Sequence, residues 1–277
     1  MSSMILLQGT QLSQDLLAGA TEIAASLPQK PCLATVLVGE DPGSATYVRM
    51  KRNRAAAAGI DARLMHLPTS TTTAELVATI EGLSADPGVH GILLQHPVPA
   101  HIDERAAFEA IHPAKDVDGV TLHSFAAMAF GLPSFPSATP GAIIALLDHY
   151  GVPLSGKHAV VVGRSPILGK PVGMLLLARD ATVTYCHSRT TDLTSHLQTA
   201  DIVVAAVGKP RFITGDQLKN GVVVIDAGYN PGNIGDVDFD SAARKASMIT
   251  PVPGGVGPVT IATLLHQTVT AAASQLT

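Results

Sequence analysis

Apolar positions alternate between two spacings along this chain. Leu12, Leu16, Ala20, Ile23 and Leu27 recur every three or four residues and predict a helix over TQLSQDLLAGATEIAASL. CLATVLVG follows as an unbroken apolar run, which predicts a strand covered on both faces. DPGSATYVRMKRNRAAAAGI then reads as a helix, with Asp41 as its cap and Pro42 as its first residue. IDARLMHL and VHGILLQ read as strands, and TTTAELVATIEGLSAD and DERAAFEAIH as helices between and after them.

The second half repeats the rhythm with a more apolar signature. KHAVVVG, ATVTYC, ADIVVAAVG and GVVVIDAG are predicted strands. KPVGMLLLARD and the terminal GPVTIATLLHQTVTAAASQ are predicted helices. Between the halves, FGLPSFPSATPGAIIALLDHYGVPLSGK breaks the pattern with Pro and Gly around one helix, GAIIALLDHY. Alternating strand and helix predicts an α/β protein with parallel sheets. The expected organisation is two α/β domains with a junction near residue 120. One comprises residues 1–120 joined by the C-terminal helix 258–277; the other, 121–257, is a Rossmann-like dinucleotide-binding domain with a parallel sheet.

Composition narrows this picture. The 277 residues are 46% hydrophobic with a net charge of −4, so cores are well supplied and no global field favours nucleic acid. The local cluster of Arg49, Lys51, Arg52 and Arg54 therefore stands out more than the total. The two cysteines, Cys32 and Cys186, sit in strand-like runs and read as buried thiols of a reducing compartment. The eleven His have no ligand-like spacing, so no metal site is expected. MSSMILLQGTQLSQD lacks the basic start and long apolar core of a signal peptide, and no apolar run reaches membrane-spanning length. A cytoplasmic protein without membrane or nucleic-acid partners is the expectation.

In VVVGRSPILGKPVGMLLLARD, Gly163 ends a strand and Gly169 opens a helix. The spacing is not G-x-G-x-x-G, and a ligand-free tight turn is an equally good reading of the motif alone. The strand–turn–helix context suits a pyrophosphate at the helix start. NAD sites usually carry an acid at the tip of the following strand; here ATVTYC ends in His187, Ser188 and Arg189. With Arg164 inside the glycine loop, those residues suit a 2′-phosphate, hence NADP.

In the first half, Tyr47 and Lys51 are four residues apart and share a helix face. A Tyr packed on a Lys stem is also ordinary surface chemistry. Gln95 stands at the C-terminal end of a buried strand, where α/β sheets place functional groups. In HPAKDVDGV, Asp116 reads as part of an Asp-Gly turn and Asp118 as the ligand-reading acid. TPVPGGVGPVT is either a stiff connector or a loop whose glycines allow close approach to a ligand.

VGEDPGSATYVRMK, GILLQHPVP, KDVDG, VVVGRSPILGKPV, CHSRT and PVPGGVGPVTIATLL, in that order over almost the whole chain, resemble the bifunctional methylenetetrahydrofolate dehydrogenase / methenyltetrahydrofolate cyclohydrolase family. The resemblance implies NADP-dependent oxidation of 5,10-methylenetetrahydrofolate, then hydrolysis to 10-formyltetrahydrofolate, within the one-carbon metabolism that feeds purine biosynthesis. It implies that Lys51 is catalytic with Gln95 as its hydrogen-bonding partner. Tyr47 would stack on the folate with Ser44 nearby, and Asp118 would anchor the pterin. The loop Pro253, Gly254, Gly255, Val256 and Gly257 would close on the substrate. Gly163, Arg164, Ser165, Ser188 and Tyr229 would meet NADP, and the protein would be a homodimer paired through the cofactor domain. His96, Val120 and the PSATP stretch depart from the family pattern, and Tyr229 stands where an aliphatic residue is usual. A dehydrogenase without the hydrolase step and a non-catalytic nucleotide sensor are the competing expectations.

Overall fold

The computed structural model describes residues 4–39 and 42–276, with side chains from residue 48 onward in helix α2; Asp41, read as that helix's cap, lies outside the described residues. In chain order the elements are β1 (Ile5–Leu6), α1 (Thr10–Ser26), β2 (Cys32–Val38), α2 (Pro42–Ala57), β3 (Asp61–Leu67), α3 (Thr73–Ala85) and β4 (Gly91–Leu94). Then come α4 (Glu104–Glu109), a 3-10 turn at Pro113–Lys115, α5 (Leu122–Ala129), α6 (Ala138–His149), β5 (His158–Val162), α7 (Gly169–Leu177) and β6 (Thr182–Cys186). The chain closes with α8 (Leu193–Thr199), β7 (Ile202–Ala205), a 3-10 turn at Gly215–Gln217, β8 (Val223–Asp226), α9 (Phe239–Ala243), β9 (Met248–Ile249) and α10 (Val256–Leu276).

The α/β expectation is met by two wholly parallel sheets. A three-stranded sheet has the order β3-β2-β4, with Cys32 opposite Asp61 and Leu33 opposite Gly91. A six-stranded sheet has the order β1-β9-β8-β7-β5-β6. The chain divides into two units. One holds residues 1–14, 128–132 and 137–260; the other holds 15–127, 133–136 and 261–277. The N-terminal segment goes with the larger sheet because Ile5 and Leu6 pair in parallel with Met248 and Ile249. Neither two-residue strand has enough length to show a period, so neither was foreseen; α5 and α9 are likewise additions.

Except for the more polar β3, the strands form where the chain is apolar and largely β-branched or aliphatic. All seven residues of β2 are buried, as are all four of β4 and of β7. Burying each Val, Leu or Ile side chain contributes roughly 1.5–3 kcal/mol, which holds these short strands against helices on their faces. Local signals set helix starts: α3 begins with a capping box in which Thr72 and Glu75 satisfy each other's amides.

Candidate active site

In the three-stranded unit, Lys51 lies on α2 between two buried neighbours of the same face, Val48 and Ala55. The face that packs the helix therefore carries an amine into the protein. Its Nζ donates to Gln95 Oε1 at 3.1 Å. Gln95 follows β4, its own amide held by the Val36 carbonyl at 2.8 Å, and its Nε2 donates to the His96 carbonyl at 3.0 Å. The side-chain amide is thus fixed at both ends, with its oxygen turned to the lysine. Burial pushes the Lys51 pKa down, opposed by the charge of Asp118. Burial raises Asp118 to about 7, opposed by Lys51 and helped by Asp116. A half-buried amine whose pKa is lowered, beside an acid held up at about 7, suits proton transfer near neutral pH. Arg49 and Arg52 point to solvent on the same helix. Ser44 and Tyr47 belong to α2, but their side chains lie outside the described residues.

Asp118 owes its position to a residue read only as part of a turn. Asp116 is fully buried and accepts from Val120 N and Thr121 N at 3.0 Å each and from Ser124 Oγ at 2.6 Å. It ties the loop to the start of α5, while Gly119, at φ +62°, closes the turn between them. Gln267 of α10 donates to the Val117 carbonyl at 2.7 Å and fixes the same loop from another side. Val120 is buried in this scaffold, and Arg105 donates to its carbonyl. Lys115 is buried, donating to the Asp86 carbonyl at 2.7 Å.

In the six-stranded unit the strand order reverses at β5, which has β6 on one side and β7 on the other. α/β sheets bind ligands in the crevice beyond such a reversal. Gly163 leaves β5 there with φ +134°, and a Cβ on it would strike the Ala206 carbonyl after β7. A Cβ on Gly169 would strike the Gly163 carbonyl. The two glycines let the backbone lie flat across two strand ends, a cradle that fits a dinucleotide's pyrophosphate. Ser165 changes one detail of the sequence reading. Its Oγ accepts from Leu168 N at 3.2 Å and Gly169 N at 3.3 Å, and its carbonyl accepts from Lys170 N at 3.0 Å. The amides of Leu168, Gly169 and Lys170 at the helix start are thereby engaged inside the loop.

Arg164 is exposed. The preceding Gly163 N donates to the Cys186 carbonyl at 2.9 Å, so the glycine loop and the tip of β6 leave the sheet side by side. At that tip, His187 N donates to Thr190 Oγ1 at 2.8 Å and Arg189 N to His187 Nδ1 at 3.1 Å, leaving Ser188 and Arg189 exposed on a closed turn. The next acid, Asp192, is spent as the N-cap of α8. Tyr229, after β8, is exposed and donates to Asn233 Oδ1 at 2.6 Å. Nearby in the chain is a pair of buried acids, Asp226 and Asp236, that the sequence reading did not single out. Asp236 accepts from Val207 N, Gly208 N and Lys209 N, and Asp226 from Gly228 N, Asp236 N and Val237 N. Burial raises Asp226 to about 6, held back by those amides. The available signal was an acid ending an apolar strand, in VVVIDAG.

The loop from Pro253 to Gly257 divides in two. Gly254 has φ +105° and its carbonyl accepts from Gly9 N at 2.8 Å; a Cβ on Gly9 would collide with the Gly255 carbonyl. The tight approach at Gly254 and Gly255 is thus met within the protein. Val256 is buried and starts α10, whereas Pro253 is exposed and a Cβ on Gly257 would meet open space. Both cysteines are buried and free. Among the described residues no group of three or more His, Cys, Asp or Glu could hold a metal ion, and no helix is long and apolar enough to cross a membrane.

Comparison with known proteins agrees with this geometry. Residues 7–118 match the catalytic domain of tetrahydrofolate dehydrogenase/cyclohydrolase, and residues 137–276 match its NAD(P)-binding domain. The bifunctional protein FolD 1 of Streptomyces avermitilis is 68% identical over 96% of this chain and 93% of its own length. The bifunctional protein FolD of Shouchella clausii is 59% identical over 98% and 99%. Among solved structures, the FolD methylenetetrahydrofolate dehydrogenase/cyclohydrolase of Campylobacter jejuni superposes with a TM-score of 0.96 at 41% identity, covering 99% of this chain and 100% of that one. The Trypanosoma brucei enzyme, solved with NADP cofactor and inhibitor, gives 0.94 at 36% identity over 99% of both chains. Matched in both halves and over nearly all of its length, this chain belongs to the tetrahydrofolate dehydrogenase/cyclohydrolase family.

Proposed function

We propose that this chain oxidises 5,10-methylenetetrahydrofolate to the methenyl form with NADP and hydrolyses that product to 10-formyltetrahydrofolate. The observation that carries the reading is the Lys51–Gln95 hydrogen bond beside Asp118, an amine and an acid whose pKa values are moved toward neutrality by burial. NADP, when bound, supplies the acceptor for the pair of electrons leaving the methylene bridge. The chain's own residues do the rest. Asp118 accepts from the pterin's amino and ring N–H groups, Tyr47 stacks on its ring system with Ser44 beside it, and the loop from Pro253 to Gly257 covers the substrate. Lys51, neutral, takes a proton from the water that attacks the methenyl carbon and returns it to the folate nitrogen as the ring opens. Gln95 holds the amine in place without adding charge.

In this reading Gly163, Ser165 and Tyr229 shape and line the NADP site, and Arg164 with Ser188 meets the 2′-phosphate. The folate-binding part is the three-stranded unit and the NADP-binding part the six-stranded unit, near the expected division of 1–120 with 258–277 from 121–257 except that residues 1–14 go with the larger sheet. The protein acts as a homodimer. β6 is an edge of the six-stranded sheet and offers a row of backbone groups to a second copy. We place it in the cytoplasm, where buried thiols such as Cys32 and Cys186 stay reduced, without nucleic-acid or membrane partners. Its product is a formyl donor for one-carbon metabolism, including purine biosynthesis.

The test is spectroscopic. Incubation with 5,10-methylenetetrahydrofolate and NADP should generate NADPH absorbance, and preformed methenyltetrahydrofolate should lose its own absorbance faster with enzyme than without. NADPH formation without accelerated hydrolysis would reduce the protein to a dehydrogenase, and neither signal would leave a nucleotide sensor.

A further inference from the structure

Hydrolysis of the methenyl bridge leaves one proton to dispose of, and this rests on the function proposed above. Water's oxygen bonds to the bridge carbon and one of its protons passes to the Lys51 amine. The carbon–nitrogen bond then breaks, its electron pair stays on the folate nitrogen, and that nitrogen takes the proton back from Lys51. As the carbonyl forms, the remaining hydroxyl proton has no place in the product and must leave the pocket. Lys51 ends as it began, so each turnover releases one proton through some other group.

The neighbours of Lys51 narrow the choice. Gln95 holds the amine through its oxygen and does not titrate. Asp118 is occupied with the pterin. His96 is next in the chain after Gln95, and its own carbonyl is the acceptor that pins the Gln95 side chain at 3.0 Å. Its imidazole is half-buried and stands edge-on to Phe108, with ring centroids 6.1 Å apart and planes at 82°. That packing fixes the ring while leaving part of it open to solvent.

We propose that His96 is the exit relay for the hydrolytic proton, taking it from the Lys51 pocket and passing it to bulk water. The charges that face it order the steps. Glu104 of α4 favours the imidazolium, and the Lys51 ammonium of α2 opposes it; Arg105, also of α4, sits over the far partner Phe108 at 5.2 Å. While Lys51 carries its proton, His96 is held neutral. Once Lys51 has given that proton to the folate nitrogen, the repulsion disappears and His96 becomes a better acceptor, at the moment the hydroxyl proton is released. Burial also lowers its pKa, so the ring is a free base at neutral pH before each cycle. His96 acts through the pocket and does not touch the reacting carbon; it is a relay and positioning residue.

The test compares His96→Asn, His96→Gln and His96→Ala with wild type in both assays, in dilute buffer at pH 7. Loss of a positioned proton carrier should cut hydrolysis kcat by roughly tenfold or more with little change in KM. The ratio of hydrolysis to NADPH formation should fall by at least about fivefold, because hydride transfer releases no proton through this route. Added imidazole should restore hydrolysis in His96→Ala in proportion to its free-base concentration. An equal fall in both activities, a rise in KM alone, no loss in any variant, or no rescue by imidazole overturns the relay. Failure of the underlying function looks different: wild type itself would then lack one of the two activities.

Discussion

Lys51 Nζ donates to Gln95 Oε1 at 3.1 Å, while Gln95 Nε2 is committed to the His96 carbonyl. The lysine therefore meets a neutral acceptor that cannot turn its donor end inward. Lys51→Met should leave folding intact and reduce hydrolysis of methenyltetrahydrofolate by at least about a hundredfold, the usual scale of a lost acid–base group. Gln95→Glu should do something subtler. A carboxylate there favours the ammonium, so the neutral base appears only at higher pH and the acid limb of the hydrolysis profile moves alkaline. Near-wild-type hydrolysis by Lys51→Met, or an unmoved profile in Gln95→Glu, removes this pair from the chemistry.

Asp118 makes an opposite use of burial. Its folded pKa of about 7 lies above the ordinary carboxylate value, so the folded protein binds this proton more tightly than the unfolded chain does. Its contribution to stability is therefore full at low pH and is lost as pH rises through the window up to about 7. Asp118→Asn should raise Tm, with the gain growing from pH 5 to pH 8 and reaching a few degrees. The same change should weaken folate binding by roughly tenfold to a hundredfold, since a charged acceptor to the pterin contributes about 1.5–3 kcal/mol. Wild-type folate affinity should itself weaken as pH falls below 7. Calorimetric melting and ligand titration across that range check all three; a Tm difference that shrinks with pH contradicts the assignment.

The alternation of strand and helix was legible because each long element carries its own period. Lys51 and Gln95 were legible only through the family resemblance, since taken alone a Lys one turn from a Tyr reads as surface chemistry and an amide at a strand exit needs no function. What escaped depends on contacts distant in sequence. Ile5 and Leu6 are a strand only because Met248 and Ile249 lie beside them. Gly9 is small for Gly255, far along the chain, whose carbonyl a Cβ on Gly9 would strike. Lys115 is buried because the carbonyls of Leu83 and Asp86 receive it. Ser165 is expected from the resemblance to meet NADP, yet its hydroxyl first closes its own loop.

Cofactor choice should depend on Arg164. The guanidinium is exposed at the cradle's rim, next to the β6 tip where Ser188 and Arg189 stand and where the nearest following acid is used as a helix cap. A forked charge-assisted pair to a 2′-phosphate contributes about 1.5–3 kcal/mol, enough for at least a roughly tenfold preference for NADP over NAD. Arg164→Ala should lower kcat/KM for NADP by that factor and leave NAD nearly unchanged. If the ratio of the two cofactors is the same in mutant and wild type, Arg164 faces solvent only.

Asp116 and Asp118 differ by two positions and should respond to the same substitution with opposite signs. Asp116 has no solvent exposure, and its two oxygens satisfy Val120 N, Thr121 N and Ser124 Oγ. Asn can keep one of those oxygens, but its NH2 then faces a backbone donor that needs an acceptor. Asp116→Asn should therefore destabilise by about 1–3 kcal/mol, the cost of an unsatisfied buried donor, and Asp116→Ala by more. The loop between Val117 and Thr121 would loosen and carry Asp118 with it, so folate affinity should fall while NADP affinity, dependent on the other unit, holds. Melting curves of Asp116→Asn and Asp118→Asn at pH 8 give the decisive comparison: the first should melt below wild type and the second above it. If both lower Tm, Asp118 is a structural acid like its neighbour and its raised pKa has been misassigned to a binding role.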